Sequence, residues 1–200
     1  MRVIAGRLRS RPLLAPAGMD TRPTADRLRE TLFNVLTNGA VNRIAGAAFL
    51  DLYAGSGAVG IEALSRGAES VTFVEEAPAA LAVLGKNLAA LGLKGEAVRV
   101  EKRSVGRYLR GAAEKSAAFD VIFLDPPYEM AEEYSLALTL LGGECRALLA
   151  ADALVVAENR RKNPLEASYG CLVRTRVLEQ GDAGLSFYRV AEEEEIEAEI

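Results

Sequence analysis

From residue 48 onward the chain alternates short apolar runs with stretches of helical period. The runs Ala48–Tyr53, Val71–Glu75, Ala97–Glu101, Phe119–Leu124 and Ala153–Glu158 read as strands. Between them lie a glycine loop with a helix through Ile61–Leu64 ending at Arg66-Gly67, and an alanine-rich helix, Pro78–Leu91, begun by proline and stopped by Gly92. Helices follow near Val105–Ala113 and Ala131–Leu141. Strands that are apolar almost throughout, separated by helices, predict a parallel sheet covered on both faces. After Pro164 the pattern changes. Cys171–Leu178 and Leu185–Val190 predict two strands joined through residues 180–184 as a hairpin.

Ahead of the sheet, residues 2–15 alternate weakly around Gly6 and predict a short β-hairpin. Pro23-Thr24 then opens a helix with Thr24 as N-cap, Asp26 in the first turn, Leu28, Leu32, Val35 and Leu36 at helical spacing, and Gly39 closing it. The expected fold is α/β: a doubly wound, mostly parallel seven-stranded sheet ending in an antiparallel hairpin, with an N-terminal β-hairpin and helix. The expected organisation is a basic extension over residues 1–39, one main domain over 40–191 and an acidic tail over 192–200.

Composition narrows the chemistry. No apolar stretch nears the roughly 18 residues that span a bilayer, and Met1-Arg2-Val3-Ile4-Ala5-Gly6-Arg7 is charged too soon for a signal peptide. A cytoplasmic protein is expected. Cys145 and Cys171 are far apart, with no CxxC spacing, so free buried thiols are expected and no metal site. The chain contains no histidine, which removes Ser-His and Cys-His nucleophile pairs and imidazole bases. The net charge of −4 is uneven. Residues 192–199 hold six glutamates and no base, leaving +2 on residues 1–191. The first eleven residues carry Arg2, Arg7, Arg9 and Arg11 with no acid, and Arg22, Arg27 and Arg29 form the next basic cluster. Such a head suits phosphates, with Arg7, Arg9 and Arg11 as the candidate contacts.

A candidate cofactor loop follows the first long strand. Asp51-Leu52-Tyr53-Ala54-Gly55-Ser56-Gly57-Ala58-Val59-Gly60 sets Gly55-x-Gly57-x-x-Gly60 between a strand and a helix, where glycines allow a sharp turn and close approach to a ligand. Glu75 ends the next strand, where a carboxylate can accept both hydroxyls of a ribose. Asp51 decides between cofactors. A carboxylate before the loop would repel a pyrophosphate and attract a cation. S-adenosylmethionine carries an ammonium and a sulfonium and no phosphate, so it is favoured over NAD.

The second candidate site is Asp125-Pro126-Pro127-Tyr128, directly after Val121-Ile122-Phe123-Leu124. It sets a carboxylate, a rigid carbonyl and an aromatic ring at the end of a buried strand, the parts needed to hold a planar base by its exocyclic amine. Asp125 and the Pro126 carbonyl can each accept one N–H, which frees the nitrogen lone pair and stabilises its growing charge. Proline offers a carbonyl without a competing donor and keeps Asp125 extended. Tyr128 can stack on the base, a contact worth roughly 1–3 kcal/mol. Ligands in open α/β sheets sit outside the carboxyl ends of the strands, so both sites should open onto one edge.

These residues resemble the class I S-adenosylmethionine-dependent methyltransferases, and more closely the RsmD-type enzymes that methylate guanine N2 in small-subunit (16S) ribosomal RNA. The resemblance runs from about Arg2 to Val190. It is carried by residues 22–34 (Arg-Pro-Thr-Ala-Asp-Arg-Leu-Arg-Glu-Thr-Leu-Phe-Asn), by Asp51–Gly57 with Glu62–Ala68, by Phe73-Val74-Glu75, by Asp125–Tyr128 and by Gly184–Tyr188. It implies a Rossmann-like methyltransferase fold in which Asp51, Tyr53, Ala54, Gly55, Ser56 and Gly57 hold the methionine part and Glu75 the ribose. It also implies that Asp125, Pro126, Pro127 and Tyr128 act on guanine, with Arg22, Thr24 and Arg29 lining the mouth of the site. Where the family commonly has an acid for the adenine amine, this chain has Ser104 followed by Val105, so a hydroxyl or the backbone takes that contact. Tyr53 stands where Phe is usual, and its hydroxyl needs a polar neighbour if buried. The implied partner is 16S rRNA, free or within the small subunit, with no membrane and no metal, and the protein is expected to be a monomer.

The motif alone leaves guanine N2, adenine N6 and cytosine N4 open. An adenine-N6 nucleic-acid methyltransferase is the nearest alternative, though no long target-recognition insert is visible. An NAD-dependent oxidoreductase is disfavoured by Asp51, and a non-catalytic RNA-binding module is the third reading.

Overall fold

A computed structural model describes residues 1–15, 23–113, 118–127 and 129–191, with residues 23–25 as backbone only. Among these residues five α-helices and eight strands follow in the order α1 (Pro23–Thr37), β1 (Ala48–Leu52), α2 (Ala58–Ser65), β2 (Ser70–Glu75), α3 (Pro78–Ala90), β3 (Val98–Lys102), α4 (Val105–Ala113), β4 (Phe119–Leu124), α5 (Ala131–Gly142), β5 (Leu149–Arg160), β6 (Ser168–Tyr169), β7 (Leu172–Gln180) and β8 (Ala183–Val190). The sheet order is β3-β2-β1-β4-β5-β8-β7-β6. β3 through β5 are parallel, while β8, β7 and β6 are antiparallel to their neighbours.

Two apolar layers hold the sheet. Leu28, Leu32, Phe33 and Leu36 of α1, Ile61 and Leu64 of α2 and Leu84 of α3 pack with Phe49, Phe73, Phe123, Val156 and Phe187 on one face. Leu109 of α4 and Leu138 and Leu141 of α5 pack with Leu50, Leu52, Ile122, Val155 and Tyr188 on the other. Alternate residues of each strand face opposite layers, which explains why β1 and β4 read as almost wholly apolar runs. Strand order reverses between β1 and β4, the switch point at which open α/β sheets bind their ligands.

Two expectations are corrected. The sheet has eight strands, because Ser168–Tyr169 adds a two-residue edge to β7; so short a strand has no period to detect. The N-terminal hairpin reduces to a single antiparallel bridge, Arg2 to Pro12, with Val3 N donating to Arg11 O at 3.0 Å and Leu13 N to Met1 O at 3.0 Å. Long-range ties to α2 hold this segment instead. Glu62, fully buried, accepts Ile4 N at 2.7 Å, Ala5 N at 2.9 Å and Arg66 Nε at 2.7 Å. Ser65 accepts Leu8 N through its hydroxyl at 2.9 Å and Arg7 N through its carbonyl at 2.8 Å. Gly6 has φ +79°, and a Cβ there would lie 2.0 Å from the Ser65 carbonyl oxygen, so the contact requires glycine. The expected tail, residues 192–200, lies outside the described residues.

Candidate active site at the carboxyl edge

Four carboxylates gather where β2, β1, β4 and β5 end. Asp51, 1% exposed, accepts Gly60 N at 2.9 Å, tying β1 to the first turn of α2. Its carboxyl is pushed up to about 8, by burial first, with the Gly60 N–H pulling it down and the charge of Glu75 pushing it up. Asp125, half-buried after β4, is raised well above the ordinary carboxylate range by desolvation, then by Glu158, then by Asp51. Glu158 lies near the end of β5, beside β4. Asp125 thus feels the carboxyls of both neighbouring strands, and such a crevice favours a cationic ligand.

Glu75 is more heavily used than expected. Its Oε2 accepts Gly55 N at 2.9 Å and its Oε1 accepts Glu76 N at 2.9 Å and Ala77 N at 2.8 Å. Three of its roughly four lone-pair positions are therefore spent on backbone, and its first role is to shape the loop. In that loop Gly55 and Gly57 both have positive φ. A Cβ on Gly55 would meet nothing closer than 3.9 Å, leaving that side open to a ligand, whereas one on Gly60 would strike Phe73 at 2.4 Å. Gly60 is needed for α2 to approach β2, and Gly55 for the turn beside the crevice.

Tyr53 also has a left-handed backbone, φ +61°, an uncommon state for a bulky residue that clusters at functional sites. Its hydroxyl finds the polar neighbour it needs, donating to Glu133 Oε2 of α5 at 2.7 Å. Ala54 is buried beside it, and Ala54 N donates to Val74 O at 3.0 Å. Ser56 contributes its carbonyl to Asn87 Nδ2 at 2.9 Å. Ser104 and Val105 stand where β3 gives way to α4, Ser104 O accepting Tyr108 N at 3.0 Å.

Pro126 is buried and Pro127 exposed. The Pro126 carbonyl accepts the Tyr134 hydroxyl of α5 at 3.4 Å. Behind it, on the α5 side, a cavity of about 150 Å³ is bounded by Tyr134, Asn159, Arg160, Asn163 and Tyr169. Asn159 Nδ2 holds that wall by donating to Arg160 O and Asn163 O, each at 3.0 Å. Sequence reasoning missed Glu158, Tyr134 and Asn159. The position of Glu158 at the end of an apolar strand was the available signal for the first.

Of the predicted nucleic-acid contacts, Arg9 is exposed. Arg7 Nε reaches Leu64 O at 3.4 Å and Arg11 Nη2 reaches Ala90 O at 3.3 Å, so each also serves a helix C-terminus, where a cation is favoured. Arg29, expected at the mouth of the site, is 6% exposed and turned inward. Its Nη2 donates to Arg2 O at 2.7 Å and to Asp26 at 3.1 Å, which ties α1 to the N-terminal segment. Arg22 and Tyr128 lie outside the described residues, as does the side chain of Thr24. Cys145 and Cys171 are free thiols, no metal-holding cluster occurs among the described residues, and no helix among them is long and apolar enough to cross a membrane.

A sheet reversed between β1 and β4, with a glycine loop at one strand end and an acid-Pro-Pro motif at the next, defines the α/β methyltransferase fold. The chain belongs to the family described as Conserved hypothetical protein 95, the RsmD family, whose model matches residues 1–189. It is 40% identical over 167 residues to the Escherichia coli K12 ribosomal RNA small subunit methyltransferase D, covering 82% of this chain and 77% of that one. It is also 40% identical over 189 residues to Bacillus subtilis YlbH, covering 94% and 98%. The solved structure of Escherichia coli yhhF superposes with a TM-score of 0.77 at 36% identity, over 95% of this chain and 97% of that one.

Proposed function

We propose that this protein transfers a methyl group from S-adenosylmethionine to the exocyclic N2 amine of a guanine in small-subunit ribosomal RNA. The observation that carries the reading is the juxtaposition of Asp51 and Asp125 at the ends of the paired strands β1 and β4, with the Asp51 charge acting on Asp125 across the switch point. One ends at a loop suited to a cationic cofactor, the other at an amine-holding motif. Family membership supports ribosomal RNA as the substrate, and resemblance to the RsmD type supports guanine N2.

The residues fit the cofactor on two counts: the carboxyls need a cation, and the loop beside Gly55 is open. Asp51 and the Ala54–Gly57 backbone would hold the methionine part, Glu75 the ribose, and Ser104 with Val105 the adenine edge. When bound, S-adenosylmethionine supplies an electrophilic methyl on its sulfonium. Asp125 and the Pro126 carbonyl each accept one N–H of the target amine, aligning its lone pair and stabilising the charge that grows on nitrogen. Tyr134 fixes the Pro126 carbonyl through its remaining lone pair. Tyr128 stacks on a base that has been unstacked from its helix. The methylated nitrogen then releases its proton without a histidine. Arg7, Arg9 and Arg11 contact phosphates of the substrate, with Arg22 and Thr24 near the entrance.

The test is transfer of a tritiated methyl group onto small ribosomal subunits lacking base methylation, with nucleoside analysis. N2-methylguanosine is expected, and Asp125→Asn should lower turnover by about 10²–10³. Label in N6-methyladenosine would replace the substrate; no label at all would remove the reading.

A further inference from the structure

At the opposite edge of the sheet from Asp125, three arginines meet over an apolar floor. Arg43 comes from the segment before β1, Arg176 from β7 and Arg189 from β8, and they border a depression of about 250 Å³ floored by Val35, Leu154 and Phe187. Val41, at its rim, is 66% exposed. Arg176 and Arg189 are exposed and form no ion pair among the described residues. Arg43 spends one N–H on Asp152 O at 2.9 Å. Its guanidinium is held below its ordinary proton affinity, by burial first and by the charge of Arg189 next, with Asp152 opposing.

The cluster is built by a distortion of the sheet. β7 and β8 shift register between Arg174 and Arg176: Arg174 opposes Tyr188 and Arg176 opposes Phe187. Cross-strand partners share a face. Tyr188 belongs to the α5 layer and Phe187 to the α1 layer, so two arginines that regular alternation would put on one face are sent to opposite faces. A bulge commonly re-aims a side chain in this way. Here it turns Arg176 toward Arg43 and Arg189, an arrangement that repels itself unless an anion lies between.

We infer that this patch is a second RNA-gripping surface, at which Arg43, Arg176 and Arg189 hold backbone phosphates of the substrate remote from the target base. The inference rests on the RNA reading above and extends it to a separate place on the fold. From Leu154 beside the patch to Arg160 at the carboxyl edge is six residues of β5, about 20 Å at the usual strand rise. RNA held at both places therefore spans the face of the sheet that α1 covers. An open depression with an apolar floor and cationic rim fits an extended polyanion with exposed sugars and bases better than a small enclosed anion.

The test compares wild type, the triple variant Arg43→Gln/Arg176→Gln/Arg189→Gln and the matching triple lysine variant, on two RNAs. One is a complete small-subunit rRNA; the other is a hairpin around the target too short to reach the patch. For the long RNA the glutamine variant should bind more weakly and lose about two to three from the slope of log affinity against log salt, at roughly 0.7–0.9 per phosphate contact. The lysine variant should retain the slope. Methyl transfer to the short hairpin should be unchanged in all three proteins. An unaltered slope overturns the inference, and so does a change of thermal stability alone, which would make the cluster a packing element of the sheet. Failure of wild type to methylate either RNA would instead strike the proposed function.

Discussion

Tyr53 and Glu133 are joined by a 2.7 Å hydrogen bond from the Tyr53 hydroxyl to the Glu133 carboxylate. The pair connects the end of β1, where the glycine loop begins, to the first turn of α5, which follows the acid-Pro-Pro motif. The two halves of the candidate site are thereby braced against each other. Removing the hydroxyl with Tyr53→Phe keeps the ring and its left-handed backbone but breaks the brace. A charge-assisted bond of this kind is worth about 1.5–3 kcal/mol, part of which water restores because Glu133 is only half-buried. S-adenosylmethionine binding should weaken by about tenfold, with far-UV dichroism unchanged. Calorimetric titration of both proteins checks this, and equal affinities would reduce the bond to surface ornament.

Asp51 makes the pH dependence signed. Its folded-state pKa of about 8 lies above the unfolded value of about 4, so the folded chain keeps a proton that the unfolded chain releases. The associated stability is complete below about pH 4 and is lost as pH rises through 8. Ligand-free wild type should therefore melt at progressively lower temperature across that window, and Asp51→Asn should flatten the decline. A cationic cofactor selects the ionised carboxyl, so its affinity should rise with pH by up to about tenfold per unit below 8. Thermal scans and binding isotherms on one buffer series test both slopes. Binding that is flat with pH in wild type would separate Asp51 from the cofactor.

Much of the candidate site was legible in the chain because its parts sit where apolar strands stop. Asp51, Glu75 and Asp125 each interrupt or end such a run, and an acid there has few structural excuses. Arg29 misled for the opposite reason. In a cluster with Arg22 and Arg27, nothing local says which arginine turns inward, and the Arg2 carbonyl it binds is 27 positions away. Glu62 was equally opaque. On a helix it reads as a surface acid, and only the arrival of Ile4 and Ala5, 58 and 57 positions distant, makes it a buried hub. The bulge in β7 leaves no mark on composition at all. Strand ends are written locally; long-range docking is not.

The Glu62 hub gives a stability prediction with a local signature. Glu62→Ala leaves two backbone N–H groups and the Arg66 guanidinium without their acceptor in a buried setting. The cost should be about 3–5 kcal/mol, the range for breaking a buried charged pair. For a chain this long that lowers Tm by about 2–4 °C per kcal/mol. Arg66 also stacks over Phe33, 5.0 Å from the ring centroid, so the damage should spread into α1. Hydrogen exchange should show Ile4 and Ala5 amides opening before those of β1 and β4. Full protection at Ile4 and Ala5 in the variant would mean that other ties, such as those of Ser65, suffice.

The arginines of the N-terminal segment should now separate into two kinds. Arg7 and Arg11 each spend one N–H on the carbonyl of a helix end, whereas Arg9 is exposed and has no such duty among the described residues. Arg9→Gln should thus weaken RNA binding and lower the salt slope by about 0.7–0.9, the loss of one phosphate contact, with Tm unchanged. Arg7→Gln and Arg11→Gln should lower the slope similarly and also cost about 0.5–1.5 kcal/mol of stability through the lost helix-end bonds. Binding measured from low to moderate salt, alongside thermal scans, distinguishes the two kinds. If Arg9→Gln leaves the slope where it was, the exposed guanidinium does not meet phosphate, and the segment's role contracts to holding α2 and α3 in place.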